Sequence, residues 1–190
     1  MKSDKLSQLP KGAKRVFKGQ IFDVYQWDQQ TFDNSTKIFE ILVRPDTVQT
    51  IAVVGDKILI QEQEQPNKGK FISLPGGRLE EGEQPLEGAQ RELLEETGYA
   101  SNDWVLWKTF EPTQKMLYKV YIFIARNCVL KTKPKLEVWG EKITNKLVSF
   151  DEFLLLSEDN RIRQKELGYE LMRMRLFPAE KQKFKTLLFK

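Results

Sequence analysis

One helix carries a cluster of like charges that must be neutralised for the chain to fold around it. The helix is predicted from Pro85 to Thr97, because proline suits the first helical position and Gly98 suits the C-terminal cap. Glu92, Glu95 and Glu96 follow at i, i+3 and i+4, so their carboxylates project from one side. They indicate either a bound cation or a solvated face paired with Arg or Lys.

The residue types missing from the chain narrow the chemistry available to it. The sequence contains no His and a single Cys, Cys128. An internal disulfide, a Cys-based zinc site and the Ser-His-Asp and Cys-His forms of nucleophilic catalysis are therefore excluded, while Lys-based variants stay open. A metal ion here must be bound by oxygen, and carboxylates suit Mg²⁺ or Mn²⁺.

The charge balance and hydropathy indicate one cytoplasmic domain. The chain of 190 residues has 31 basic and 27 acidic side chains, a mixed surface for which nucleic-acid binding is not expected. No apolar run is long enough to span a bilayer, and the polar N-terminus does not resemble a secretory signal. We expect residues 1–15 to form a loose arm and residues 16–190 to form a single domain.

The pattern of apolar residues predicts an α+β fold. Short runs rich in β-branched and aromatic residues alternate with turn residues, and helical periodicity is confined to the acidic helix and to the last forty or so residues. The C-terminal helix is predicted to end at Pro178. Strands are predicted at 21–27, 37–43, 48–54, 57–61, 71–74, 104–110, 119–125 and 147–150, and helices at 85–97, from 151, and at 161–176.

A glycine-rich loop comes directly before the acidic helix. Gly76 and Gly77 lack Cβ atoms, so their backbone groups can approach a metal ion or a phosphate closely. Arg91 lies beside the carboxylate cluster and can bond Glu83 through its planar fork, which would brace the loop against the helix. The alternative for these two residues is an ordinary surface ion pair.

Taken together, these residues resemble the signature of the Nudix hydrolase family. That signature reads G-x5-E-x7-R-E-U-x-E-E-x-G-U, where U is a bulky apolar residue, and residues 77–99 match every fixed position. Leu93 and Tyr99 occupy the two U positions. The fixed positions are filled by Gly77, Glu83, Arg91, Glu92, Glu95, Glu96 and Gly98.

The resemblance implies a fold and a metal site. The fold of this family is a mixed β-sheet between helices, and its activity depends on Mg²⁺ or Mn²⁺. By this resemblance Glu92 and Glu96 are the principal metal ligands, Glu95 supports them, and the carbonyl of Gly76 adds a ligand. Glu141, in the segment before the last predicted strand, is expected to act as the general base or as an extra ligand, or else to be a solvated loop carboxylate.

The chain is most similar to the ADP-ribose and nucleotide-sugar pyrophosphatase branch of the family. The resemblance implies hydrolysis of the diphosphate linkage of a compound such as ADP-ribose, giving a nucleoside monophosphate and a sugar phosphate. Residues 16–43 match the N-terminal β extension of that branch, which implies a homodimer interface or else an edge hairpin. Two other functions are considered: hydrolysis of another nucleoside diphosphate derivative, such as a dinucleoside polyphosphate, NADH or a modified triphosphate, and non-catalytic nucleotide sensing.

Two features depart from the pattern of that branch. Pro112 comes early in the loop that follows the motif, and no arginine lies between Arg44 and Arg78. Lys68 or Lys70 is expected to substitute, although lysine lacks the bidentate fork of arginine. Trp27 is a candidate for base stacking, with core packing as the alternative. The candidate substrate-binding residues are therefore Arg44, Lys68, Lys70, Trp27 and Arg78.

Overall fold

The computed structural model describes residues 5–66, 68–135 and 142–190 and shows an α+β fold. Its strands are β1 Lys14–Lys18, β2 Asp23–Gln30, β3 Thr36–Val43, β4 Thr47–Val54, β5 Lys57–Gln65, β6 Lys68–Ser73, β7 Tyr99–Ala100, β8 Asp103–Phe110, β9 Met116–Leu117, β10 Val120–Arg126, β11 Val129–Leu130 and β12 Lys142–Val148. Its helices are α1 Pro85–Thr97, α2 Phe150–Leu155, α3 Lys165–Leu176 and α4 Pro178–Leu188, with a 3₁₀ turn at Leu156–Glu158.

The central sheet is mixed, as predicted. Its strand order is β12-β5-β4-β10-β8, and β6 pairs with β5. Strand β10 runs parallel to β4, whereas the other pairs in this sheet are antiparallel. A separate sheet, β1-β2-β3-β9, contains the predicted N-terminal extension over 16–43, and β7 pairs with β11.

Alternation along β4 builds a core on each face of the central sheet. Ile51 packs with the buried residues of α2, α3 and α4, including Leu171 and Phe184. Ala52 points the other way and packs with Leu93 of α1. Because successive strand residues face opposite sides, the sheet is covered by α1 on one face and by the C-terminal helices on the other. The predicted arrangement of a sheet between helices is confirmed.

Helix α1 has the predicted ends but a different buried face. Pro85 is at its first turn, and Gly98 caps it in the left-handed conformation at φ 74°. From the sequence, Leu86 and Leu94 share a broad apolar helix face with Ala89 and Leu93, which predicts burial, yet they are 40% and 37% exposed. The buried residues are Gly88, Ala89, Glu92, Leu93 and Thr97, so one of the carboxylates faces inward.

The C-terminal region differs from the prediction in two places. Helix α3 begins at Lys165 rather than at residue 161, because residues 161–163 are extended beside β6. The amide of Ile72 donates to the carbonyl of Arg161, and the amide of Arg163 donates to the carbonyl of Ile72, both at 2.9 Å. Helix α4 was not predicted: Pro178 follows the end of α3 but also starts α4, since the first turn of a helix needs no amide hydrogen from proline.

Strand boundaries also shift, mostly outward. Strand β5 extends to Gln65 instead of ending at residue 61, and β12 starts at Lys142 rather than at residue 147. Strand β1 begins at Lys14, inside the segment that the sequence analysis treats as a loose arm. Among the described residues, none of the helices combines the length and the apolar character required to cross a membrane.

Asp46 ties together three segments that surround the site described below. The carboxylate is almost fully buried, accepts a hydrogen bond from the Lys119 amide at 2.6 Å and pairs with Lys5 Nζ at 2.6 Å. Its backbone carbonyl accepts from the amide of Leu79 at 2.9 Å. Lys5 also donates to the carbonyl of Arg44 at 2.9 Å. The N-terminal segment is therefore anchored through Lys5 to the linker between β3 and β4.

Replacing Asp46 should destabilise the fold. The change Asp46→Ala leaves the Lys119 amide and the Lys5 ammonium without their shared acceptor, and breaking such a buried pair is expected to lower the free energy of unfolding by about 3 kcal/mol. Urea denaturation measures this change. Asp56→Ala, in the exposed turn between β4 and β5, is the control. Equal stability losses in the two variants would contradict the role of Asp46.

Candidate active site

The site lies where β4 and β5 separate and a loop fills the gap between them. The two strands pair only from Ala52 to Val54 on the β4 side. Earlier in β4, the amide of Thr50 donates to the Pro75 carbonyl and the amide of Val48 donates to the Gly77 carbonyl, both at 2.9 Å. The loop therefore satisfies the free edge of β4 much as a strand would.

Glycine is required at position 76 by both its conformation and its surroundings. Gly76 has φ 149°, a region that other residues rarely adopt. A Cβ atom there would lie 2.1 Å from the carbonyl oxygen of Val48. The close approach of the loop to β4 therefore depends on the missing side chain.

The loop also meets the carboxylates of α1 directly. The amide of Gly76 donates to Glu96 Oε2 at 2.8 Å. A Cβ atom on Gly77 would lie only 2.3 Å from Glu92 Oε1, so the Glu92 carboxylate occupies the space that a side chain would need. Two of the three predicted carboxylates are thus packed against the glycine loop, and Glu92 is only 7% exposed.

Arg91 links the loop to the carboxylate cluster. Its Nε donates to Glu83 Oε1 at 2.8 Å and its Nη2 donates to Glu83 Oε2 at 3.0 Å. This is the bidentate pair expected if Arg91 braces the loop against the helix. Its Nη1 donates to Glu92 Oε1 at 2.9 Å and to Glu95 Oε2 at 3.3 Å. A further bond from Nη2 reaches the carbonyl of Arg78 at 3.2 Å.

The contacts between Arg91 and Glu83 shift the pKa values of both side chains. The hydrogen bond from Arg91 is the largest influence on Glu83 and holds the pKa of its carboxyl below the usual value. The same bond, with the nearby charge of Glu92, raises the pKa of Arg91 further above its already high value. Both groups are therefore charged throughout the neutral range, and the loop stays braced there.

The carboxylate cluster does not form a closed metal cage by itself. Among residues 5–66, 68–135 and 142–190, no group of three His, Cys, Asp or Glu side chains is placed to hold a metal ion. Glu95 is drawn toward Arg91, and its side chain is 36% exposed. A metal ion at this place would rely on Glu92, Glu96, backbone oxygen and water. Such a mixed oxygen set fits Mg²⁺, which keeps several waters and uses few carboxylates.

A cleft of about 800 Å³ joins the carboxylates to a group of arginines. Gly76, Gly77, Glu92 and Glu96 line it, and so do Arg44, Arg78 and Arg163. The cleft therefore contains both the groups that suit a metal ion and the groups that suit an anion.

Arg44 is held firmly in this cleft. Its Nη2 donates to Thr47 Oγ1 at 2.9 Å, and its guanidinium carbon lies 4.6 Å from the centre of the Tyr118 ring. Partial burial lowers the pKa of Arg44, and the charges of Arg78 and Arg163 lower it further, while Asp46 acts in the opposite direction. An anionic ligand would relieve the repulsion among the three arginines.

The structure brings together only some of the predicted substrate-binding residues. Arg44, Lys68 and Arg78 line the cleft. Lys70 and Trp27 do not: Lys70 is exposed on the edge strand β6, and Trp27 packs against Phe39 within the N-terminal sheet. Glu141, the predicted base, lies outside the described residues.

Several residues that line the cleft were not predicted from the sequence. Tyr118 lies just before β10, and no sequence feature led to a prediction for it. Arg163 and Gln164 were assigned to a helix, whereas they belong to the extended segment and the cap before α3. Gln49 is the one amide side chain in strand β4, whose other polar residues are threonines, and this is the feature that marks it in the sequence.

Comparison with known proteins agrees with this geometry. Over 170 residues the chain is 27% identical to the ADP-ribose pyrophosphatase of Bacillus subtilis (strain 168), covering 87% of this chain and 91% of that protein. Over 98 residues it is 29% identical to the methanol dehydrogenase activator of Bacillus methanolicus, covering 50% of this chain and 53% of that protein.

A solved structure has the same fold. It is described as an ADP compounds hydrolase, and it superposes with a TM-score of 0.72 at 20% identity over 87% of this chain and 90% of that chain. The family model of the NUDIX domain matches residues 43–170, well over half of the chain and including the whole of the motif over 77–99. The chain therefore belongs to the NUDIX domain family and is a Nudix hydrolase.

Proposed function

We propose that this Nudix hydrolase cleaves the diphosphate linkage of a nucleoside diphosphate sugar such as ADP-ribose, producing a nucleoside monophosphate and a sugar phosphate. The observation that carries the proposal is that Glu92 and Glu96 line the same cleft as Arg44 and Arg78. A diphosphate linkage needs its negative charge neutralised before water can attack it, and both kinds of group serve that purpose. Similarity to an ADP-ribose pyrophosphatase over most of both chains supports the choice of substrate.

Mg²⁺ is the proposed cofactor, with Mn²⁺ as the substitute. Glu92, Glu96 and the Gly76 carbonyl would hold it, with Glu95 supporting the cluster. When bound, the ion supplies charge neutralisation at the phosphate oxygens and makes water a better nucleophile. The amide of Gly76 already orients Glu96, and Arg91 orients Glu92, so both carboxylates are held in place by groups of the protein.

The arginines are proposed to bind the diphosphate. Arg44 is pre-positioned by Thr47 and Tyr118, so little side-chain freedom is lost when an anion binds. Arg78 makes no ion pair with any described residue, and its side chain is exposed at the cleft. Its backbone carbonyl is bonded to Arg91, so the same brace that supports the carboxylates also positions this arginine.

We also propose that residues 16–43 form a homodimer interface and that the protein acts in the cytoplasm. The N-terminal sheet exposes large apolar side chains, among them Val16, Phe17 and Ile38. An apolar surface of this kind is typical of an interface between chains.

Glu96→Gln is expected to lower turnover of ADP-ribose by at least about 100-fold in the presence of Mg²⁺, because even partners outside the metal's own ligands affect such sites 10- to 100-fold. Glutamine has nearly the same volume, so the fold should persist. Product chromatography measures the effect, using a panel of ADP-ribose, other nucleotide sugars, dinucleoside polyphosphates, NADH and nucleoside triphosphates.

The matched control for this experiment is Glu87→Gln in the first turn of the same helix, where glutamine can keep the capping box. Full activity of Glu96→Gln would contradict the metal assignment. If the native chain cleaves only other compounds of the panel, one of those compounds replaces ADP-ribose as the proposed substrate. If the native chain binds a compound of the panel but cleaves none of them, a nucleotide-sensing role is favoured.

The brace between Glu83 and Arg91 predicts a dependence of stability on pH. Since the pKa of Glu83 is lowered on folding, its charged form stabilises the native chain above the ordinary glutamate value of about 4.3, and this contribution is lost as the pH falls through the lowered pKa. The native chain should therefore be more stable than Glu83→Gln at pH 7, and the difference should shrink below about pH 4. Denaturation at several pH values measures it.

Glu111→Gln serves as the control, because Glu111 has a 70% exposed side chain and lies 3.9 Å from its partner Lys119. A stability difference for Glu83→Gln that is the same at pH 7 and pH 3 would contradict the ionic brace.

Glu141 is proposed as the general base. The variant Glu141→Gln should reduce the maximal rate by a factor of about 10² to 10⁴, the usual contribution of general base catalysis, while the KM for ADP-ribose changes little. Steady-state kinetics over a range of pH measures both parameters. An unchanged maximal rate would assign the proton acceptor to a carboxylate of α1 or to bulk water.

A further inference from the structure

The same cleft contains a polar region on the opposite face of the central sheet from α1. Gln49 shares its face of β4 with Ile51, and Ile51 packs against the C-terminal helices. Gln164 is the residue that caps the start of α3, and both glutamines line the cleft. This polar region therefore lies in the same cleft as the carboxylates of Glu92 and Glu96, but it is built from β4 and the start of α3 rather than from α1.

Both glutamines are buried without full hydrogen bonding. Gln49 is 8% exposed and Gln164 is 9% exposed. Their side-chain Oε1 atoms have no hydrogen-bond partner among the described residues. Buried polar atoms are nearly always paired, so two unpaired acceptors in one cleft indicate a polar ligand. The terminal torsion of a glutamine side chain is soft, so each amide can rotate to present either its oxygen or its NH₂ group.

Their surroundings show that these two amides are not simply part of an internal polar network. Gln63 lines the same cleft but donates to Gln61 Oε1 and to Ser73 Oγ, both at 2.8 Å. Gln61 in turn donates to Asn145 Oδ1 at 3.3 Å, and Asn145 donates to the carbonyl of Glu96. On the α1 face the amides of Gln61, Gln63 and Asn145 are thus hydrogen-bonded, whereas the buried Oε1 atoms of Gln49 and Gln164 are unpaired within the described chain.

Arg163 completes this region at the rim of the cleft. Its backbone is fixed by the bond of its amide to the Ile72 carbonyl at 2.9 Å. Its guanidinium lies 5.1 Å from the Phe71 ring and makes no ion pair with the described residues. The nearest carboxylate along the chain, Glu166, also lines the cleft. Arg163 therefore presents guanidinium donors without an ion-pair partner in the described part of the chain, in the same region as two amide oxygens that no described donor reaches.

We propose that Gln49, Gln164 and Arg163 form a subsite for the hydroxyl groups of the sugar phosphate portion of the substrate. A sugar hydroxyl both donates and accepts hydrogen bonds, so it can pair with the amide oxygens and with the guanidinium. The aromatic residues Phe22 and Tyr118 lie instead around Arg44, and they suit the flat base of the nucleoside portion. This inference rests on the proposed function, since it assigns the sugar of that substrate to a place in the cleft.

Binding of the product portions to the full chain tests the subsite without requiring turnover. The probes are ribose 5-phosphate, AMP and inorganic phosphate, each titrated by calorimetry into the native chain and its variants. Gln49→Leu and Gln164→Leu keep the side-chain volume and remove the amide. Each should weaken ribose 5-phosphate about tenfold, the effect of losing one hydrogen bond, while inorganic phosphate changes less than about twofold.

Arg163→Leu should weaken ribose 5-phosphate by a similar factor, and Arg163→Lys should recover only part of it, because lysine lacks the fork of arginine. The matched control is Arg161→Leu, two residues earlier, whose side chain is exposed and bonded to Asp159. Arg161→Leu should bind all three probes as the native chain does. Circular dichroism and thermal denaturation check that each variant is folded.

Three results would overturn the subsite: no binding of ribose 5-phosphate by the native chain, unchanged binding in the folded Arg163→Leu and glutamine variants, or an equal loss for AMP, which would move these residues to the nucleoside portion. Failure of the proposed function looks different. If ribose 5-phosphate binding depends on these residues but ADP-ribose is not hydrolysed, the subsite stands and the proposed substrate is rejected. If ADP-ribose is hydrolysed but the substitutions leave ribose 5-phosphate binding unchanged, the proposed substrate stands and the subsite is rejected.

Discussion

The guanidinium of Arg91 is the interaction on which the rest of the site depends. Three carboxylates, from Glu83, Glu92 and Glu95, meet at this one cation. Without a shared positive charge, the acidic face of α1 would repel itself and would also repel the loop that contains Glu83. With it, the loop is fixed against the helix and Glu92 can be buried beside Gly77. The charge problem that the sequence poses is therefore solved partly by the protein itself, before any metal ion is considered.

The brace also explains why the loop has the sequence it has. Once Arg91 holds the loop close, there is no room for a side chain between Gly77 and the Glu92 carboxylate, or between Gly76 and the backbone of β4. The amides of Val48 and Thr50 on the edge of β4 donate to this close loop, because β5 separates from β4 beyond Leu59 and leaves those amides free. The separation of β4 from β5 and the two glycines are thus both needed for the loop to lie against β4 and α1.

The parts of the fold and the site that depend on residues close together in the sequence could be predicted from it. Pro85 and Gly98 define both ends of α1, and the spacing of the motif over 77–99 identifies the family. The predictions were wrong where distant parts of the chain decide the structure. Residues 161–163 have helical periodicity but are extended, because Ile72 offers an open strand edge. Because this pairing is long-range, the sequence pattern does not show that Arg163 and Gln164 lie in the cleft. Likewise, no residue near Tyr118 in the sequence indicates that Arg44 lies against its ring.

Strand β4 connects the two sides of the cleft. Because its side chains alternate, Val48 and Ala52 support α1 and the carboxylates, while Gln49 and Ile51 face α3. A ligand in the cleft can therefore contact elements from both faces of the sheet at the point where the strands separate. The metal-type carboxylates and Arg44 contribute charge, which recognises any diphosphate equally well. The amides of Gln49 and Gln164 lie on the α3 side together with Arg163, and discrimination among diphosphate compounds requires directional hydrogen-bonding groups of this kind. The placement of Gln49 on the face opposite the carboxylates follows directly from the period of two along β4.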